Sequence, residues 1–221
     1  MIVVHHLEAS RSQRIVWLLE ELGIPYEVKT YKRGANLLAP KALRSIHPLG
    51  KSPVVVDGDA VLAESGAIIE TLLDRYDAKK ALRPTSEAEL ISYRYWLHFA
   101  EGSAMPNLLL KLVFSALETE SPFLVRPLMK AVSAKIHSLL ITPNFEANFA
   151  FIETQLGKSQ WFAGSEFSAA DIQMSYPLEA VQARFGYCSG PNMQRYLDSI
   201  RRRPGYKKAV ERVGPCFPEV K

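Results

Sequence analysis

The sequence predicts an α/β domain followed by an all-helical domain in a chain of 221 residues. In its first third, short β-branched runs alternate with amphipathic segments, which is typical of strands and helices that share one sheet. In the remainder, strand signals vanish and helical periodicity dominates. We therefore expect an α/β domain at 1–77, a linker at 78–86 that contains Pro84, and an all-helical domain at 87–221.

The first domain opens on a strand–helix–strand pattern. "MIVVHHL" is short and β-branched at its start, and "YEVKTY" (26–31) alternates like a strand. Between them, "SRSQRIVWLLEELG" places Ile15, Leu18, Leu19 and Leu22 at helical spacing. A connection of this length predicts a right-handed βαβ unit with parallel strands.

The stretch "KSPVVVDGDAVLAESGAI" (51–68) predicts a hairpin followed by a helix. The runs "PVVV" and "AVLA" flank an Asp-Gly pair, which is a strong signal for a tight antiparallel turn. "SGAIIETLLDRY" (65–76) then reads as an amphipathic helix. A βαβ unit followed by a ββα unit predicts a thioredoxin-like plan with a mixed sheet.

Composition excludes several classes of protein. No window holds 18 apolar residues, and the start lacks a secretory pattern, so we expect no membrane partner. Cys188 and Cys216 lie outside redox or metal spacing, which favours a reducing cytoplasm. The net charge is +4, but the basic run at 201–208 lacks an aromatic-interleaved stripe, so a nucleic-acid partner is not expected. The five histidines are scattered, and we expect no metal site.

Local signals in the second domain mark helix ends. In "FSAADI" (167–172), Ser168 and Asp171 have the spacing of an N-terminal capping box. We expect breaks between helices at Pro122, Pro143 and Gly157. Pro106 is expected to kink or end the helix that contains it, because proline lacks an amide hydrogen.

Two features of the hairpin point to a binding site. Pro53 opens a strand, and a cis bond there would leave the backbone of Ser52 unpaired and facing outward; a trans proline after a turn is the alternative. Glu64 and Ser65 stand at a helix N-terminus, where free amides favour a carboxylate ligand and Glu64 is suited to an ammonium group. The alternative is that Ser65 only caps the helix and Glu64 only complements its dipole.

The loop "EASRSQR" lies near these features in such a plan. It holds Ser10, Arg11 and Ser12, and either serine alone reads as a helix cap. No G-x-S-x-G elbow is present, so a serine hydrolase is not expected.

The chain resembles the cytosolic glutathione transferases over nearly its whole length, in a serine-type or backbone-activated class like those of bacteria and fungi. The matching pieces are "HHLEASRSQRIVWLLEELGIPYE", "HPLGKSPVVVDGDAVLAESGAIIETL" and "FSAADIQMSYPLEA". The resemblance implies that Pro53 is cis, that the Ser52 backbone pairs with the cysteinyl part of glutathione, and that Lys51 meets its glycine carboxylate. It implies that Glu64 and Ser65 grip the γ-glutamyl group.

The same resemblance implies a cytoplasmic homodimer that uses glutathione as co-substrate, without a metal, in detoxification. The family activates the thiol with a Tyr, Ser or Cys near the first loop. This loop has no Tyr or Cys, so Ser10 is the favoured catalytic residue, with Ser12, Arg11 or backbone amides as alternatives.

The second substrate is expected to be an electrophilic, partly apolar small molecule. The first long helix of the helical domain supplies a candidate wall, although an aromatic stripe at helical spacing also fits a buried core. Its candidate residues are Tyr93, Trp96, Phe99, Ala100 and Met105. The rival activities are glutathione-dependent isomerisation, dehalogenation, ether cleavage and peroxide reduction, and a non-catalytic interaction module is a further rival.

Overall fold

A four-stranded mixed sheet forms the first third of the molecule. The computed structural model describes residues 1–34 and 39–217. Its strands lie in the order β2-β1-β3-β4, with β1 and β2 parallel and the other pairs antiparallel. The strands are Ile2–Leu7 (β1), Tyr26–Tyr31 (β2), Val54–Asp57 (β3) and Ala60–Ala63 (β4). This topology confirms the predicted βαβ and ββα units.

Three helices accompany the sheet. They are Ser12–Leu22 (α1), Lys41–Arg44 (α2) and Ser65–Tyr76 (α3). The predicted hairpin turns at Gly58, whose φ of 61° suits a residue without a Cβ. Helix α2 was not predicted, because a single turn is too short to show a helical period.

The remainder of the described chain is helical, as the sequence predicts. Helix α4 begins at Glu87, directly after the expected linker. The helices are Glu87–Phe99 (α4), Met105–Glu120 (α5), Arg126–Ile136 (α6), Thr142–Lys158 (α7), Ala169–Phe185 (α8), Pro191–Arg202 (α9) and Pro204–Val213 (α10). The end of the expected domain, 218–221, lies outside the described residues.

Two prolines sit inside continuous helical rods instead of ending them. A π-helical turn at Ala100–Ala104 joins α4 to α5 just before Pro106, and a second at His137–Ile141 joins α6 to α7 just before Pro143. Proline cannot donate to the carbonyl four residues back and clashes with it, and the wider π turn accommodates that loss. The break expected at Pro143 was therefore wrong.

Helix α1 is buried because structure covers it on both sides. It packs against β1 and α3 of the sheet region and against α8 and α10 of the helical region. The ring of Trp17 meets Phe167 and Tyr206 at centroid distances of 5.6 and 5.1 Å. The first two turns of α1, including the charged Arg14, are consequently withdrawn from solvent.

The capping box stands at the start of α8. The Ser168 N–H donates to Oδ2 of Asp171 at 2.9 Å, and the Phe162 N–H donates to its Oδ1 at 2.9 Å. The hydroxyl of Tyr196 donates to the Asp171 carbonyl at 2.7 Å. One buried carboxylate thus fixes the entry to α8, the helix that covers α1.

Candidate functional site

A cavity of about 340 Å³ lies beside the Ser52–Pro53 peptide bond, which is cis. We call it the first cavity. It is lined by Arg11, His47, Leu49, Lys51, Ser52, Pro53, Ala63, Glu64, Ser65, Glu101 and Leu109. It brings together all five residues for which the family resemblance implies a role in glutathione binding, Lys51, Ser52, Pro53, Glu64 and Ser65. His47, Leu49 and Glu101 carried no sequence signal that marked them for this site.

The backbone at Glu64 departs from ordinary geometry. Its φ of 67° and ψ of 122° belong to a region that residues with a Cβ rarely adopt, and such strain concentrates at functional sites. Helix α3 starts at the next residue, and its first intrahelical bond runs from the Ile68 N–H to the Glu64 carbonyl at 2.9 Å. The amides of that first turn therefore have no partner within the helix. Ser65, the first residue of that turn, lies at the cavity wall beside an exposed Glu64 side chain.

A buried arginine stands behind Ser65. Nη2 of Arg14 donates to the Ser65 Oγ at 2.8 Å, and Nη1 donates to the Gln173 carbonyl at 2.9 Å. Because Ser65 accepts from Arg14, its own hydroxyl proton is available to a ligand. The positive end of α3 favours an anion in the cavity. The Arg14 guanidinium adds to this effect with the part of its charge that Glu101 does not neutralise.

Glu101 holds two arginines together. It accepts a short hydrogen bond from Arg14 and another from the Arg11 Nε at 2.9 Å. Burial alone would raise the pKa of Glu101, but the charges of Arg14 and Arg11 outweigh it and lower that pKa. We call Arg11, Arg14 and Glu101 the junction cluster. No local sequence pattern indicates this cluster, because Glu101 lies 87 residues beyond Arg14.

Ser10 and Ser12 belong to a chain of hydroxyl groups behind the first cavity. The Ser10 Oγ lies 2.8 Å from the Ser12 Oγ, which lies 2.8 Å from Nδ1 of His6. The Ser10 Oγ also donates to the Ser52 Oγ at 3.3 Å. Neither Ser10 nor Ser12 lines the cavity directly, and Ser12 is the deeper of the two. Burial lowers the pKa of His6, which keeps the imidazole neutral at neutral pH.

A second cavity of about 380 Å³ adjoins the first and shares Arg11, Glu101 and Leu109 with it. Its wall comes mainly from apolar side chains of α5 and α8. It is lined by Arg11, Glu101, Met105, Pro106, Leu108, Leu109, Leu112, Tyr176, Ala180, Arg184, Phe185 and Phe217. The guanidinium of Arg11 lies 4.7 Å from the ring centroid of Tyr176, at the meeting point of the two cavities.

Of the residues expected to form the electrophile pocket, only Met105 lines this second cavity. Tyr93, Trp96, Phe99 and Ala100 are buried in the helical core instead. Trp96 packs on the ring of Phe162 at a centroid distance of 4.7 Å, and the Tyr93 hydroxyl donates to Glu70 at 2.7 Å. These four residues therefore follow the alternative interpretation, in which the aromatic stripe belongs to the buried core. Helical spacing shows which face of a helix is apolar, but it does not show which neighbour covers that face.

Within residues 1–34 and 39–217, no group of three or more His, Cys, Asp or Glu side chains is arranged to hold a metal ion. Over the same residues, no helix is both long and apolar enough to traverse a bilayer. Cys188 and Cys216 are free thiols.

Both parts of the chain match known proteins. The glutathione S-transferase N-terminal domain matches residues 1–73, and the glutathione S-transferase C-terminal domain matches residues 133–199. Glutathione S-transferase 3 of Schizosaccharomyces pombe is 38% identical over 96% of this chain and 88% of its own. Glutathione S-transferase 1 of Saccharomyces cerevisiae is 32% identical over 96% of this chain and 95% of its own.

A solved structure agrees with these relatives. A glutathione S-transferase from Actinobacillus pleuropneumoniae superposes with a TM-score of 0.79 at 35% identity, covering 96% of this chain and 93% of that one. Identity of this level over nearly the full length, together with the two matched domains, establishes that the chain belongs to the glutathione S-transferase family.

Proposed function

We propose that this protein catalyses attack of the glutathione sulfur on an electrophilic, partly apolar small molecule. One observation carries the proposal: the first cavity gathers Lys51, Ser52, Glu64 and Ser65 beside a cis proline, and it opens at Arg11 into a second cavity with apolar walls. The first cavity suits a charged tripeptide, and the second suits the molecule that receives its sulfur. The glutathione S-transferases of two yeasts, which are 38% and 32% identical to this chain, support the same activity.

Each part of glutathione has a complementary group in the first cavity. The γ-glutamyl carboxylate lies at the Ser65 hydroxyl and the α3 amides, where Arg14 adds positive charge from behind. The γ-glutamyl ammonium meets the carboxylate of Glu64. The cysteinyl backbone pairs with the main chain of Ser52, and the glycine carboxylate reaches Lys51. This arrangement directs the sulfur toward the loop that holds Ser10 and Arg11.

The thiol must ionise to react. Lowering a thiol pKa from about 8.5 to 6.5 requires about 2.7 kcal/mol. A hydroxyl donor to an anion contributes about 1.5–3 kcal/mol, and a helix N-terminus contributes about 0.3–1 kcal/mol. Ser10, which precedes α1, supplies the hydroxyl donor, and α1 supplies the helix N-terminus. No general base is then needed.

The hydroxyl chain supports Ser10 over Ser12. With the imidazole proton of His6 on Nδ1, Ser12 accepts from His6 and donates to Ser10. The one Ser10 proton, which is donated to the Ser52 Oγ at a long 3.3 Å, then turns to the sulfur when glutathione binds. Ser12 is fully buried and turned toward His6. Arg11 is already paired with Glu101, so its charge is less available to the thiolate.

The test is the pKa of the bound thiol in Ser10→Ala. We expect that pKa to rise by about one to two units, the equivalent of one lost charge-assisted hydrogen bond, with a slower conjugation rate at neutral pH. The ultraviolet absorbance of the thiolate, followed against pH in the binary complex, measures it. Ser199→Ala, which removes an exposed hydroxyl on α9, is the control. An unchanged thiol pKa in a folded Ser10→Ala protein would remove Ser10 from this role.

We also propose a cytoplasmic homodimer that acts in detoxification, as the family resemblance implies. Two free thiols are compatible with a reducing compartment. Light scattering coupled to size-exclusion chromatography tests the dimer, and a mass of 24.8 kDa for the main species would contradict it.

A further inference from the structure

We infer that the electrophile carries an anionic group at the end remote from its reacting carbon, and that Arg184 binds this group. The inference rests on the proposed transferase function and names the class of its second substrate.

Arg184 is a cation without an ionic partner at the rim of the second cavity. None of the ion pairs formed among residues 1–34 and 39–217 includes it. Its guanidinium lies 5.6 Å from the ring centroid of Phe217, another residue of the cavity wall. Arg11, the other arginine of this cavity, is neutralised in part by Glu101. Among the residues that line the second cavity, Arg184 is therefore the cation whose charge no carboxylate neutralises.

The second cavity extends along α8 from Tyr176 to Arg184. Arg11 lies against the Tyr176 ring, and Arg184 follows eight residues later on the same helix. At 1.5 Å per residue, the backbone positions of Tyr176 and Arg184 lie about 12 Å apart along α8. The wall between them includes Leu108 and Leu112 of α5, which offer no hydrogen bonds. The cavity thus suits an apolar chain with its reacting end at Arg11 and an anion at Arg184.

Conjugate addition to an α,β-unsaturated aldehyde is a reaction that suits this cavity, with the aldehyde near Arg11 and the remote anion at Arg184. The thiolate forms a bond to the β-carbon, and the alkene π pair becomes a double bond between the α-carbon and the carbonyl carbon. The carbonyl π pair moves onto the oxygen to give an enolate. Arg11 lines both cavities and pairs with Glu101 through Nε alone, so its terminal N–H groups remain as donors to this oxygen. The enolate then takes a proton from water and becomes the saturated aldehyde adduct.

The test compares two electrophiles with the same reacting group. One is an unsaturated aldehyde with a carboxylate beyond eight methylene groups, and the other is its methyl ester. We expect kcat/KM for the acid to exceed that for the ester by about twofold to fivefold, the range that an exposed charge pair gives. The preference should shrink at high ionic strength, because salt screens exposed charges.

Variants assign the preference to one side chain. In Arg184→Gln, we expect the acid-to-ester ratio to fall to about one. Arg202→Gln removes an exposed arginine on α9, outside the cavity, and should keep the wild-type ratio. Equal rates in the wild type, or a ratio that survives Arg184→Gln, would overturn the inference.

A separate outcome tests the underlying function. Conjugation of the ester without any preference for the acid overturns the substrate class alone. Failure to conjugate either compound or chlorodinitrobenzene, together with no retention on immobilised glutathione, overturns the transferase proposal as well.

Discussion

The two cavities that meet at Arg11 are built from different parts of the chain. The first takes its polar groups from places where the backbone changes direction: the cis bond at Ser52–Pro53 and the start of α3 at Ser65. The second takes its wall from side chains along two helices, such as Leu112 of α5 and Tyr176 of α8. A ligand of the first is therefore held by geometry that the backbone fixes. A ligand of the second depends on side chains that substitution can change without altering the backbone.

The largest expected effect comes from the junction cluster that joins the cavities. In Arg14→Met, Ser65, Glu101 and the Gln173 carbonyl lose a buried donor. We expect the free energy of unfolding to fall by about 3 kcal/mol, because the broken interactions are withdrawn from water. Glutathione affinity should fall too, since Ser65 loses its support. Urea denaturation and calorimetry measure the two quantities.

Two further variants calibrate this result. Arg83→Met breaks ion pairs to Glu70 and Asp74 that are partly exposed, and we expect a loss below about 1 kcal/mol. Arg14→Lys keeps the charge but loses the planar fork, so its stability should lie between Arg14→Met and the wild type. Equal losses in the free energy of unfolding for Arg14→Met and Arg83→Met would show that the junction cluster does not stabilise the contact between the sheet region and the helical region.

The second effect separates charge from backbone strain in the first cavity. Glu64→Ala and Glu64→Gly both remove the carboxylate, and we expect each to weaken glutathione binding by about ten- to a hundredfold, the worth of a hydrogen bond to a charged group. Glycine tolerates the positive φ at this position, so Glu64→Gly should be about 1 kcal/mol more stable than Glu64→Ala.

Calorimetry of glutathione binding measures the affinity in both variants. Glu27→Ala, an exposed carboxylate on β2, is the control. A large difference in affinity between the alanine and glycine variants would assign the effect to the backbone instead of the carboxylate.

The contrast between the cavities also explains what the sequence could predict. The first cavity follows from local signals, because Pro53, the Asp57-Gly58 turn and the helix start at Ser65 each act within a few residues. The junction cluster depends on Arg14 meeting Glu101 from the far end of a separate helix, and no local pattern encodes that contact. The same limit applies to the second cavity. Trp96 and Met105 share one helical rod, yet one faces the core and the other the cavity.

A third prediction probes the wall of the second cavity alone. In Leu112→Ala, we expect kcat/KM for an apolar electrophile to fall about threefold to tenfold, because the substrate loses apolar contact area. Glutathione affinity should not change, since Leu112 does not line the first cavity. Leu117→Ala is the matched control: it lies on the same helix, is 39% exposed against 37% for Leu112, and lies outside the cavity. Equal rate losses in both variants would assign the effect to α5 as a whole.

The smallest expected effect is the pH dependence of the junction cluster. Arg14 and Arg11 lower the pKa of Glu101 against the opposing effect of burial. A carboxyl whose pKa is lower in the folded state stabilises the fold fully above its unfolded pKa of about 4.3 and loses that contribution as the pH falls through the folded value. Glu101→Gln lacks this titration. The stability difference between wild type and variant should therefore be constant near neutrality and change progressively below about pH 5.

Urea denaturation of both proteins over this pH range measures the change. The Glu101 side chain is 33% exposed, so solvent screens its ion pairs with Arg11 and Arg14. We therefore expect the pH-dependent part of the difference in unfolding free energy to stay below about 1 kcal/mol. Glu27→Gln, exposed on β2, controls for the loss of a surface carboxylate. A difference that stays constant down to acidic pH would mean that the arginines do not act on Glu101 through its charge. The two cavities would then be joined by packing and hydrogen-bond geometry at the junction cluster, without a contribution from the charge of Glu101.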